Sequence, residues 1–283
     1  VRAARLLPMS PELVALLVAA GALGGFIAGL VGVGGGIIFT PVLLFTFRGL
    51  GLEDPVLTPL TLGSGLLCTF AASASGAVAQ ARKDAVDWRT AGTAGAVAAL
   101  AVILVTTFVT TQPWYSRRVF QVVLGLALVA VVVRMLTKRD GQGNSLSSEG
   151  ARRGVGALAL TGAAAGSIAS AAGIGGGVVL VPAFNGLVRL PLKLAAGTST
   201  TAIALITLVG VLTYVARGLG APVPDGALGY VHVPYALALA LPAVVTARLG
   251  VSAAHRVHVK WVRWAFAGFA GIVAVRLLWN ALA

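Results

Sequence analysis

The residues best suited to chemistry in this 283-residue chain are two runs of backbone, not a set of side chains. Gly32-Val33-Gly34-Gly35-Gly36-Ile37-Ile38-Phe39-Thr40-Pro41 returns 141 residues later as Gly173-Ile174-Gly175-Gly176-Gly177-Val178-Val179-Leu180-Val181-Pro182. The same register holds back through Gly21/Gly162 and Gly25/Gly166. Glycine lets a chain unwind and approach other backbone closely, and three in succession destabilise a helix by about 1 kcal/mol each. A helix that starts after such a break offers free N–H groups and a positive dipole end, which together attract an anion. Pro41 and Pro182 fall in the first turns after the glycines, where a missing N–H costs least. A duplicated Gly-rich break in apolar sequence marks the binding site of a transporter. The candidates here are Gly34, Gly35, Gly36, Thr40 and Pro41, with Gly175, Gly176, Gly177 and Pro182 opposite them. Gly21, Gly25 and Gly29 suit close helix packing instead.

Hydroxyls form a second group. Thr198-Ser199-Thr200-Thr201 opens one apolar segment, and Thr58, Thr61 and Ser64 hold the related place in the other half, pairing Gly63-Ser64 with Gly197-Thr198. A hydroxyl donates to an oxyanion without the desolvation cost of a buried charge. Most of these suit bonding back to the preceding helical turn; Ser64, Thr198 and Ser199 are the candidates for substrate. Asn185 and Gln80 are polar residues in apolar surroundings and rank below them. Arg134 and Arg276 stand at equivalent places near the ends of two apolar segments. They fit either snorkelling to the interface or anion recruitment at a pathway mouth.

The elements that must position these residues are membrane helices. Apolar residues make up 58% of the chain and charged residues 10%, well below the roughly 25% charged of soluble proteins. Stretches such as Leu13–Val31, Leu57–Ala79, Ala91–Val109, Val119–Met135, Leu194–Val215, Tyr235–Val251 and Val262–Leu278 approach the ~20 apolar residues that cross a bilayer. The expected fold is all-α and polytopic, with two tandem, inverted repeats of five hydrophobic segments each. Residues 13–136 and 154–282 form the repeats and 137–153 the Gly/Ser-rich linker. The second and seventh segments, Ile37–Phe47 and Val178–Val188, are short for spans and leave half-helices, re-entrant segments and tilted spans open. Ser10-Pro11-Glu12 reads as a helix start, so basic Val1–Leu7 reads as the flank of a first membrane helix rather than a signal peptide.

Net charge is +13, from 21 basic and 8 acidic residues, and the basic ones are dispersed between apolar segments. That distribution fits topology determinants and anion attraction rather than nucleic-acid binding. With ten crossings, 14 of the 21 basic residues fall on one side, which makes that side cytoplasmic and puts both termini outside. If the short segments only dip in, the division is 12 against 9. All eight acids lie in loops or at segment edges, which argues against cationic substrates and carboxylate-based proton antiport. The spans hold no Walker loop, Ser-His-Asp set, paired carboxylates or His cluster, so neither an enzyme, a cofactor nor a metal site is expected. Cys68 is alone and reads as packing. His255 and His258 suit a basic surface loop, and His232 is also loop-like.

GVGGGIIFTP, its second copy GIGGGVVLVPAF, the later AAGTST and GYVHVPYALALALPAVVTARLGVSAAHR resemble the TauE/SafE family of sulfite exporter-like permeases. The resemblance runs from about Leu13 to Leu278, and Ala85-Val86-Asp87-Trp88-Arg89 is similar to the family's acidic-aromatic loop. It implies a secondary transporter of sulfite or related organosulfur and sulfur oxyanions, multi-pass in the cell membrane of a bacterium or archaeon. Its partners are then a small anion and the lipid bilayer, with a homodimer compatible. By motif match it points to the glycines with Pro41 and Pro182 as pathway elements. Leu62-Gly63-Ser64-Gly65 is a departure from the fuller Ala-Gly-Thr-Ser of the second half. A passive anion channel on the same architecture is the alternative.

Overall fold

A computed structural model describes residues 9–53, 55–112, 114–137, 155–254 and 271–281. The N-terminal flank 1–8, nearly all of the linker, and His255 and His258 lie outside the described residues. Ten helices account for the fold among the described residues: α1 (Pro11–Val31), α2 (Gly36–Gly49), α3 (Leu57–Ala81), α4 (Trp88–Val105), α5 (Arg117–Thr137), α6 (Val155–Ala172), α7 (Gly177–Gly186), α8 (Leu192–Gly218), α9 (Val233–Ala254) and α10 (Gly271–Ala281). A π-helical turn, Thr106–Thr110, extends α4. A two-residue antiparallel hairpin, β1 (Ala227–Leu228) and β2 (Val231–His232), precedes α9. Five helices, α1, α3, α4 with its π turn, α8 and α9, are long and apolar enough to cross a membrane.

The helix ends follow from local chemistry. The Ser10 hydroxyl accepts the Leu13 N–H at 3.3 Å, with Pro11 in the first helical position. Asp87 caps α4, its carboxylate accepting the Thr90 N–H at 3.2 Å and the Thr90 hydroxyl at 3.0 Å. Pro41 and Pro182 are each the sixth residue of their helices, one turn deeper than the first-turn position expected from sequence. There each proline removes a helical bond, leaving the Ile37 and Val178 carbonyls without their usual amide donor. Such a break survives in a membrane helix where neighbouring protein surrounds it, and Pro41 is buried.

Helix faces are set by small residues. Gly21, Gly25 and Gly29 of α1 lie against the carbonyls of Leu239, Ala243 and Ala247, so α1 and α9 run parallel in contact. Gly162 and Gly166 of α6 lie in the same way on the carbonyls of Ala94 and Ala98, so α6 and α4 also run parallel. The close approach gives dispersion contact that lipid cannot supply. Between these pairs stand α3 and α8, which run antiparallel: Gly63 approaches Tyr214, Gly210 approaches Leu66, Gly76 approaches Thr200, and Gly197 approaches Gln80. Large apolar side chains such as Leu160, Leu241 and Ile272 point outward. Trp88 and Trp114, at opposite ends of the α4 stretch, are exposed as interfacial tryptophans are.

Candidate functional site

The two glycine runs form turns that meet inside the molecule. α1 closes at Gly32, and the chain turns through Gly34 (φ 81°) into α2; α6 closes at Gly173 and turns through Gly175 (φ 83°) into α7. These positive φ values are costly for any residue with a Cβ. A Cβ at Gly36 would lie 2.6 Å from the Gly173 carbonyl oxygen, and one at Gly177 would overlap the Val33 carbonyl. Thr40, buried in α2, donates its hydroxyl to the Gly173 carbonyl at 2.8 Å and so ties one turn to the other.

From this crossing α2 and α7 leave toward opposite ends of the α3–α8 pair. Near the end of α2 stands Phe47, whose ring lies 5.8 Å from that of His232 and 5.5 Å from that of Tyr235, where α8 gives way to α9. In the last turn of α7, Asn185 donates to the Leu190 carbonyl at 2.9 Å just before α8 begins. The N-termini of two helices therefore face each other at mid-molecule. The first intrahelical acceptors are the Gly35 and Gly176 carbonyls, reached by the N–H groups of Ile38, Phe39, Val179 and Leu180. The amides of Gly36, Ile37, Gly177 and Val178 precede them and have no acceptor within their helices. Thr69 of α3 and Ile203 and Thr207 of α8 close the crossing from the side. Both threonine hydroxyls donate to their own helices, to the Gly65 and Ile203 carbonyls.

The other candidates divide clearly. Gly35 and Gly176 face away from the crossing: a Cβ on Gly35 would strike the Phe39 ring and lie 3.0 Å from the Gly24 carbonyl oxygen, and one on Gly176 would lie 2.7 Å from the Ala165 carbonyl oxygen. Ser64 and Thr198 are buried, but each holds a loop of the opposite half. The Ser64 hydroxyl accepts the His232 N–H at 2.8 Å, and the Thr198 hydroxyl accepts the Asp87 N–H at 2.9 Å. Ser199 is fully buried and its hydroxyl has no hydrogen-bond partner. Arg276 is exposed, with its guanidinium 4.9 Å from the centre of the Phe45 ring, a cation–π contact on the outer side of α2. Arg134 falls near the end of α5, its side chain outside the described residues. His232, in the β1–β2 hairpin between α8 and α9, is buried beside Tyr235 at a ring separation of 4.8 Å, and burial holds its imidazole below the usual value.

Sequence reasoning passed over Thr69, Ser73 and Thr207. A signal for them exists: the offset of 134 residues that pairs Gly63-Ser64 with Gly197-Thr198 also pairs Ser73 with Thr207 and Gly76 with Gly210. Among the described residues the buried polar side chains are hydroxyls, glutamines and His232, and no Asp, Glu, Lys or Arg is buried. An interior of neutral donors and helix N-termini suits an anion and offers a cation little.

Comparison with known proteins places the chain in a transporter family. Residues 17–277 match the family model described as sulfite exporter TauE/SafE. A probable membrane transporter protein of Haemophilus influenzae is 26% identical over 259 residues, covering 91% of this chain and 95% of its own length. One from Methanocaldococcus jannaschii is 24% identical over 275 residues, with 94% and 96% coverage. The probable membrane transporter protein YunE of Bacillus subtilis is 24% identical over 264 residues, with 87% and 90% coverage. No solved structure shows significant similarity to the chain. Since the family match takes in all but the edges of a fold whose helices cross a membrane several times, the chain belongs to the sulfite exporter TauE/SafE family of multi-pass membrane transporters.

Proposed function

We propose that this protein is a secondary transporter of small oxyanions of the sulfite and organosulfonate class, working by alternating access around the glycine crossing. The observation that carries the reading is the meeting of the α2 and α7 N-termini in an interior without a buried acid among the described residues. Two positive helix ends and their free amides can replace water around an anion. The family description, sulfite exporter, supplies the substrate class.

The two halves, 13–136 and 154–282, are inverted repeats in this reading. Three reciprocal contacts support it. The α1–α9 pair and the α6–α4 pair use glycines at the same 141-residue offset on carbonyls of the other half. Ser64 and Thr198, equivalent in sequence, each accept an amide from the loop that follows the other's helix. The equivalent helices α3 and α8 run antiparallel, as a two-fold axis in the membrane plane requires. All ten segments then cross, each glycine turn with its short helix making one crossing, and rocking one set against the other exposes the crossing to each side in turn. Direct contact between the two turns favours a carrier over an open channel, because at the crossing itself the backbones touch.

Counterflow tests the function. Proteoliposomes preloaded with unlabelled sulfite should accumulate trace labelled sulfite in a transient overshoot that thiosulfate and sulfonates compete away. Sulfite-dependent current without an overshoot would instead establish a channel, and neither signal from folded protein would remove sulfite as the substrate.

A further inference from the structure

Three buried polar atoms between the crossing and the α3–α4 end have no partner: the Ser73 hydroxyl, the Gln80 amide oxygen and the Ser199 hydroxyl. Their residues are 0%, 2% and 0% exposed. An unsatisfied buried hydroxyl or amide is costly, so a native interior that keeps three together marks a place where something polar binds.

Helix registers bring the three onto one seam. On α3, Thr69, Ser73, Gly76 and Gln80 follow a single stripe; Thr69 touches Gly34 and Gly36, Gly76 approaches Thr200, and Gln80 lies against Gly197. On α8, Ala196 touches Gly32 and Ile203 touches Gly34, which puts Ser199, between them in register, on the face toward the first glycine turn. Along the antiparallel pair, Ser199 falls between Ser73 and Gln80, about 6 Å from the first and about 4.5 Å from the second along the axis at 1.5 Å per residue. The long Gln80 side chain leans back toward the start of α3, which brings its amide within reach of one small oxyanion held between Ser73 and Ser199. The start of α2 completes the arrangement: that helix runs toward the other end, so its free N–H groups point to this one. On the opposite side the unpartnered buried atoms, the His232 ring nitrogens and the Tyr235 hydroxyl, sit beside Phe47 near the end of α2 and not on the α3–α8 seam. There the equivalent positions are Gly65, Thr207, bonded to its own helix, and Tyr214, bonded to Thr110 and Ser170.

We propose that Ser73, Gln80 and Ser199, facing one another across the α3–α8 seam beside the start of α2, hold the oxyanion on the side of the crossing nearer the α3–α4 loop. The two hydroxyls donate to anion oxygens, and the Gln80 amide takes the orientation that presents its NH2 group. The site is therefore asymmetric although the helices around it come in equivalent pairs. This rests on the transporter reading above and deepens it, since Ser64 and Thr198 become structural ties and Ser73 and Gln80 become ligands.

The test compares wild type with S73A/S199A and with Q80M in the same counterflow assay, alongside thermal melting with and without sulfite. The double variant should raise the KM for sulfite about tenfold or more and lose most of the sulfite-induced rise in Tm. Without sulfite its Tm should equal or exceed that of wild type, because two orphaned hydroxyls are gone. Q80M should raise KM in the same direction. A KM and a sulfite-dependent Tm shift within twofold of wild type in both variants would overturn the site while leaving the transporter reading intact. A double variant that melts lower without sulfite and keeps its KM would show that the hydroxyls are structural. Wild type that neither exchanges sulfite nor is stabilised by it would fail the transporter reading itself, and the site with it.

Discussion

A methyl group at Gly36 would press on the Gly173 carbonyl oxygen at 2.6 Å and on the Ile174 Cα at 2.8 Å, both backbone atoms with little freedom to yield. Gly36→Ala should therefore destabilise the protein by about 1–3 kcal/mol, as overpacking does elsewhere. Gly92→Ala is the matching control, because that helical glycine is exposed and a Cβ there meets nothing within 4 Å. It should gain about 0.5–1 kcal/mol from helix propensity. Melting of the two purified variants in detergent checks both signs. Valine at Gly35 or Gly176 is a poorer probe of transport, since both face helix packing. The 141-residue register of the glycines already marks the turns that meet. What no register reveals is which glycine of each triplet faces the partner turn. The ties made by Ser64 and Thr198 were equally hidden, since their donors lie 168 and 111 residues away. Ser73 was hidden for another reason: in the alanine-rich run Ala71–Gly76 a serine looks like a small packing residue until its hydroxyl is found without a partner.

At the scale of elements, the π turn Thr106–Thr110 has the most specific role. Its wider loop, closed by the Thr111 N–H on the Thr106 carbonyl at 3.2 Å, turns both ends of the segment inward. The Thr106 hydroxyl pairs with that of Ser170 at 2.6 Å, and the Thr110 hydroxyl with that of Tyr214 at 2.6 Å. Tyr214 in turn donates to the Ser170 carbonyl at 3.2 Å, so α4, α6 and α8 are joined by one polar network. Tyr214→Phe should cost about 1–3 kcal/mol, because it strands two buried partners in an apolar interior. The lowered Tm should come with an unchanged KM for sulfite, as the network lies away from the α3–α4 end of the seam. Helix existence was legible from the apolar runs, and the start of α1 from Ser10 and Pro11. The π turn was not, because Thr106-Thr107-Phe108-Val109-Thr110 fits either helical period and only the tertiary bonds select the wider one.

Over the whole molecule, the antiparallel α3 and α8 place the α3–α4 loop and the β1–β2 hairpin at opposite ends. The first carries exposed Arg82, Lys83 and Arg89, and the second has exposed Asp225. By the positive-inside rule the first end is expected to face the cytoplasm. Lys83→Cys should react with an impermeant maleimide only from the cytoplasmic face, and Asp225→Cys only from outside. Labelling of both from one face would contradict a membrane crossing by α3 and α8. Native Cys68, fully buried with its thiol 3.4 Å from the Ala236 carbonyl oxygen, should stay unlabelled in both cases. The parallel pairing of α1 with α9 also has a consequence for how the protein is made. Roughly 200 residues separate the end of α1 from the start of α9. At ribosomal rates of about 5–20 residues per second, α1 waits about 10–40 s for its partner. During that interval its glycine face is open to whatever else occupies the bilayer. Birth, rather than the finished state, is when this protein is most exposed to wrong partners, and the insertion machinery must shelter its first helix until nearly the last has emerged.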